Sequence, residues 1–298
     1  MPMSIWNEYL GAEIKFVQGK KYRSRIAEAG TEHADTLIMT HGGGGHLETF
    51  ARNVVPISKH VHTIGLEILW HGLSDAPEVS NNPAAQVAEQ ILDVMDALGI
   101  DKAWLHGEAY SASAASWVAR FHPERLKGVI YESGVGMHFK EGSVAPAAPP
   151  VGGISMPERT LQLLKNPDWD GIYARLIMVM HRDHPEQVTD ELVETRLAHY
   201  SRPHTNDAQT RFYTALVNGI GRSDYASEDD MAATSGIPSL VVWCDGSAGA
   251  GPDAGERLAG IIGAQFKLLP QTGFWAHWEN PEAFNTAVTQ FVTGQKVT

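Results

Sequence analysis

The residues able to do chemistry lie in four short stretches. His41-Gly42-Gly43-Gly44-Gly45 follows an apolar run, and backbone amides without side chains over them stay open to a developing anion. Trp104-Leu105-His106-Gly107-Glu108-Ala109-Tyr110-Ser111-Ala112 passes from a strand-like run through small residues into a helix-like one. A sharp turn of this kind lifts its central side chain above the sheet and aims the next amide, that of Tyr110, at the same spot. The central residue is Ala109, whose methyl group cannot attack a carbonyl. Gly43 or Gly44, with Tyr110, are the expected donors to an oxyanion, an enolate or a phenolate. Glu67–Asp75 (EILWHGLSD) and Gly273–Glu279 (GFWAHWE) add His71 and His277. Of the 14 histidines, His41, His46, His71 and His106 are expected at the carboxyl edge of the sheet, but no ligand spacing unites them and no metal is assigned. Trp70, Tyr110, Phe274, Trp275 and Trp278 suit a flat, ring-containing ligand or simple core packing. Glu132 closes a strand, as a second acid or as a solvated carboxylate.

Positioning these residues falls to short apolar runs that alternate with helical patterns, the mark of a mostly parallel sheet covered on both faces. Two strands are read within residues 13–27, and others at 36–40, 63–68, 103–106, 128–131, 238–243 and 264–269. Helices are expected from His46, after Asn82-Pro83, over 110–121 and from Pro281. Between about 137 and 228 the alternation stops, and a Pro-, Ala- and Gly-rich loop leads into helical patterns rich in His, Arg and aromatics. This divides the chain into a first core part, 1–136, a helical cap, 137–228, and a second core part, 229–298.

The 298 residues are 43% hydrophobic and 19% charged, with a formal net charge of −12. No basic cluster suggests nucleic acid, and no apolar run approaches the ~18 residues a membrane helix needs. The single cysteine, Cys244, excludes an internal disulfide. With no leader-like start, these features point to a cytoplasmic protein, and they are compatible with a monomer or a homo-oligomer.

In this order, glycine loop, elbow, cap and late loops resemble an α/β-hydrolase, and are most similar to the meta-cleavage-product hydrolases, which break carbon–carbon bonds in ring-fission products. The resemblance implies an eight-stranded, mostly parallel sheet and a Ser-His-Asp triad, and here the chain departs from it. Ala109 stands at the nucleophile position, Phe274 at the histidine position and Ser247 at the acid position, with Asp245 and His277 able to fill in only if their loops shift register. The resemblance places Glu108 where the family has an asparagine facing the pocket, and Thr49 where it has another. Glu108, partly desolvated, would titrate near neutrality as a general base, or else partner a histidine. Arg196 matches an arginine that grips the substrate carboxylate, and Trp275 the tryptophan beside the histidine. His41, His46, Trp70 and Glu132 complete the candidate substrate site.

These residues lead to an expected enzyme acting on an aromatic or ring-derived small molecule without a cofactor, by non-hydrolytic chemistry of lyase, isomerase, decarboxylase or oxygenase type. Two alternatives stand beside it: a carbon–carbon or ester hydrolase of the meta-cleavage-product type captured as a Ser-to-Ala variant, and a non-catalytic protein that binds an aromatic ligand.

Overall fold

The computed structural model describes residues 4–145, 151–222, 225–247 and 249–298. Its strands are Glu13–Gln18 (β1), Arg23–Ala29 (β2), Thr36–Thr40 (β3), His62–Leu66 (β4), Ala103–Glu108 (β5), Leu126–Glu132 (β6), Ser239–Cys244 (β7) and Gln265–Leu269 (β8). They form one eight-stranded sheet in the order β1-β2-β4-β3-β5-β6-β7-β8. Only β2 runs antiparallel to its neighbours. The fold is therefore the mostly parallel α/β sheet that the alternation of runs predicts. β3, β4 and β7 are buried along their whole length, as strands sealed by helices on both faces must be.

The helix Pro83–Ala97 begins as its sequence demands, with Pro83 in the first turn and the Asn82 side chain accepting from the Ala85 amide at 3.0 Å. The helix expected from His46 does not form as one piece. A 3₁₀ turn, Leu47–Phe50, and a single helical turn, Val54–Ile57, replace it. Thr49 turns its hydroxyl back onto the His46 carbonyl at 2.8 Å, and Pro56 has no amide to continue a helix.

Between β6 and β7 lie the helices Met156–Lys165, Trp169–Ile177, Asp190–Tyr200 and Pro203–Val217. Charge ties this insertion to the core. Arg25 on β2 pairs with Glu48 at 2.8 Å and with Glu67 at 3.3 Å, all three buried. Glu48 also bonds His46 at 3.0 Å and, from the helix Asp190–Tyr200, His199 at 3.3 Å. Among the described residues no helix is long and apolar enough to cross a membrane.

β5 enters the helix Ser111–Phe121 through Ala109, which takes a left-handed backbone, φ 49°. Packing is too close for side chains at two neighbouring positions. A Cβ on Gly107 would meet the backbone of Ser111 and Ala112, and one on Gly134 would meet that of Ala109.

Candidate active site

A cavity of about 410 Å³ opens over the elbow between the sheet edge and the inserted helices. Gly43, Ala109, Tyr110 and Phe274 form its floor, and Arg175 and Tyr213 reach it from the insertion. Among the described residues no Asp or Glu lines it, although the chain as a whole is strongly acidic.

The amides of Gly43 and Tyr110 have no hydrogen-bond partner among the described residues and remain open to an anion. Gly44 does not serve as the alternative donor, because its N–H is spent on His71 Nε2 at 3.1 Å. That bond leaves His71 Nδ1 to donate to the Leu69 carbonyl at 2.8 Å. His41 is engaged in the same way, accepting from the Ile68 amide at 3.3 Å and donating to the Gly42 carbonyl at 2.9 Å. Both rings are fully buried and brace loops, and burial holds both well toward the neutral form, His71 down to about 4. Neither touches the cavity. Thr49 and Trp70 are core residues as well. Trp70 donates to the Pro77 carbonyl at 2.8 Å and stacks on Phe212, centroids 5.2 Å apart.

Phe274 is half-buried against the cavity, with its amide on the Val179 carbonyl at 2.7 Å. Ser247 accepts from the Gly249 amide at 3.3 Å. Asp245 is exposed and accepts from the Thr272 amide at 3.3 Å, so it fills no triad. His277 is neither at the surface nor backed by Asp245. It is 1% exposed in the turn Ala276–Glu279, and its carboxylate partner is Glu132.

Glu132, far from being solvated, is fully buried at the end of β6. It accepts His277 Nδ1 at 2.8 Å, the His277 amide at 3.1 Å and His106 Nε2 at 2.8 Å. These donors outweigh burial and bring its carboxyl down to about 2. Glu108 pairs with Glu132 in register on the adjoining strand, and its Oε2 accepts from the Gly42 amide. A Cβ on Gly42 would collide with both Glu108 Oε2 and the Ala109 methyl, which places the carboxyl directly behind the cavity floor. Burial pushes Glu108 up to about 8, against the attraction of His277.

Arg196 is 1% exposed, and its Nε and Nη2 have no hydrogen-bond partner among the described residues. Its guanidinium stands 5.0 Å from the Trp275 ring. The Cβ position of Gly44 lies 3.0 Å from Tyr213 Oη, 3.4 Å from Tyr200 Oη and 3.6 Å from Arg196 Nη1, so three donors converge beside the glycine loop. Arg175 is near enough to disfavour the Arg196 charge further. A buried, unpaired guanidinium costs several kcal/mol, which an incoming carboxylate would offset. Tyr200, Tyr213 and Arg175 escaped the sequence reading because only the non-local packing of the insertion brings them here.

His46, Glu48 and His199 offer three ligand atoms within 4.8 Å of one another. A cation there would meet Arg25, already on Glu48, and the cluster is better suited to holding the insertion in place.

A sequence profile described as the alpha/beta hydrolase fold matches residues 35–281. The chain belongs to the α/β-hydrolase fold family. Among the relatives of this α/β-hydrolase chain is the 2-hydroxy-6-oxononadienedioate/2-hydroxy-6-oxononatrienedioate hydrolase of Comamonas testosteroni, 27% identical and covering 97% of this chain and 99% of its own. The 2-hydroxy-6-oxo-6-phenylhexa-2,4-dienoate hydrolase of Burkholderia cepacia is 27% identical over 91% of each chain. A serine-to-alanine mutant of the meta-cleavage product hydrolase from Pseudomonas fluorescens IP01, complexed with acetates, superposes with a TM-score of 0.79 at 20% identity, over 96% of this chain and 99% of that one. These names support an enzyme. They overturn the expectation of non-hydrolytic, lyase-like chemistry, since relatives spanning almost the whole chain are hydrolases. The hydrolase alternative is the one they favour.

Proposed function

We propose that this chain hydrolyses a carbon–carbon bond in a 2-hydroxy-6-oxo dienoate of the ring-fission type, with water in the place of a serine nucleophile. The observation that carries the reading is the Glu108 carboxyl packed behind the Ala109 methyl, under a cavity floored by the open amides of Gly43 and Tyr110. Where a serine hydroxyl would stand, an alanine leaves room for a water molecule. The substrate carboxylate goes to Arg175 and Tyr213 on the cavity wall, with the buried Arg196 close to Tyr213, and the remaining apolar wall takes the ring or alkyl end. The insertion, 137–228, acts as the cap that closes over both.

The substrate reacts as its 2-oxo tautomer. Ionised Glu108 takes a proton from water, and the hydroxide oxygen bonds to the 6-oxo carbon. The oxyanion so formed is held by the two amides, an interaction worth about 3–4 kcal/mol per donor in enzymes of this kind. The adjacent carbon–carbon bond then breaks. Its electron pair flows to the 2-oxo oxygen as a dienolate, which recovers the proton from Glu108, and a carboxylic acid leaves.

Turnover is measured with the phenyl dienoate and the nonadienedioate, following loss of the conjugated chromophore and release of benzoate or succinate. Glu108→Gln should lower kcat by about 10²–10⁴-fold. Because the base works ionised, kcat/KM should rise as pH climbs toward and through about 8. Unchanged turnover in the variant removes Glu108 from the mechanism, and no hydrolysis of either compound by the parent chain ends the hydrolase reading.

A further inference from the structure

Two carboxyls with opposite habits stand in register on paired strands, Glu132 ionised and Glu108 reluctant to ionise, and one imidazole, hydrogen-bonded to Glu132, lies within electrostatic reach of Glu108. His277 is fixed on one side only. Its backbone amide and Nδ1 both donate to Glu132, so its tautomer and tilt are set, while Nε2 is buried with no partner among the described residues. Around the ring lie Phe50, Trp275 and Phe284, with centroids 5.1, 6.1 and 6.1 Å away, which exclude water and leave charges little screened. The charged or titratable groups facing it are Glu132 from β6, Glu108 and His106 from β5, and Glu279 from its own turn. His106 is neutral, its Nε2–H given to Glu132, and burial keeps it so. Glu279 is occupied by the amides of His181, Gly273 and Trp275. Glu108 is the carboxyl left for the ring to serve, with Arg196 as its more distant cation.

We propose that His277, seated by Glu132, is the cationic positioning partner of Glu108, a histidine–carboxylate pair whose acid comes from the end of β6 instead of the loop after β7. The pair does not touch substrate. Glu132 holds the ring as imidazolium, and the imidazolium favours the ionised Glu108 that draws a proton from water, so the pair sets the pH at which the base becomes available. An uncharged ring at 277 would leave Glu108 protonated to still higher pH. The inference rests on Glu108 being the base, but the charge coupling itself can be read without any substrate.

The experiment follows the ring proton of His277 by NMR against pH, assigned by its loss in His277→Gln, in the full chain and in Glu108→Gln. The coupling predicts that the ring titrates at lower pH once the Glu108 charge is gone. A titration unmoved by Glu108→Gln overturns the proposal. In parallel, His277→Gln should move the rise of kcat/KM to higher pH, with activity partly recovered on the alkaline side. A merely structural role would lower the melting temperature and the plateau without moving that limb, and that result also overturns it. If His277→Gln fails to fold, His277→Asn and the Glu108→Gln titration still decide. Should the parent chain hydrolyse nothing, the hydrolase reading falls while the NMR titration still settles the pairing.

Discussion

Ala109 sits at φ 49°, where an L-residue costs about 1–2 kcal/mol relative to the right-handed region. The strain is held by the Ala109 amide on the Glu132 carbonyl at 2.9 Å and by the close packing of Gly107 and Gly134. The elbow is thus built to present a side chain, yet the side chain it presents has no hydroxyl. Restoring one should not restore a serine enzyme. An Oγ at 109 would face Phe274 where the resemblance calls for an imidazole, and a serine without a base is a poor nucleophile. It would also occupy the space assigned to water. Ala109→Ser is therefore expected to lower steady-state turnover and to show no burst of acid product in stopped-flow. A burst, with a covalent acyl adduct in the mass spectrum, would mean that the chain is a serine hydrolase short of its nucleophile.

At the scale of elements, the insertion is held at the glycine loop largely through one carboxylate. Glu48 receives Arg25, His46 and His199, which join β2, the loop after β3 and the helix Asp190–Tyr200. Hydrogen bonds from His199 and His46, with the Arg25 charge, overcome burial and hold the Glu48 carboxyl well below the usual range, while burial takes His46 down to about 3. Glu48→Gln keeps the shape and removes the charge. Arg25 would be left with Glu67 alone, and removing one partner from a buried ion pair typically costs about 3–5 kcal/mol. The loss should appear as a lower urea midpoint. It should also appear as faster amide exchange at the His199 end of Asp190–Tyr200 before the sheet is affected, because His199 ties that end to Glu48 while Glu191 holds the other to Ser4 and Ile5. Equal loosening of the sheet and the helix would show that the cluster supports the core and not the insertion.

For the whole molecule, the sheet could be read from its sequence because each strand is a short apolar run bounded by turn residues, a strictly local signal. The glycine loop and the elbow were legible for the same reason. The chemistry was less so. His277 and Glu132 are 145 positions apart, and the three-residue offset of His277 from Phe274 becomes meaningful only once the turn Ala276–Glu279 directs it inward. Arg25 and Glu48 were missed altogether, although charged residues inside otherwise buried stretches were the available sign. That burial has a global consequence. The Glu108 carboxyl is raised to about 8, well above its unfolded value of about 4.3. Between those two values the folded chain holds a proton that the unfolded chain has released. Folding stability therefore falls as pH rises across that interval, and the full penalty is present above about 8. Glu132 works in the opposite sense: its contribution is complete above the unfolded carboxylate range and is lost as pH falls toward about 2. Glu108→Gln is neutral at every pH and similar in volume. It should match the parent in urea denaturation at pH 4 and exceed it by a few kcal/mol at pH 9, becoming more stable as it becomes less active. Equal stability at pH 9 would mean that Glu108 ionises at no cost, and a carboxylate so well accommodated would be a weak base for water.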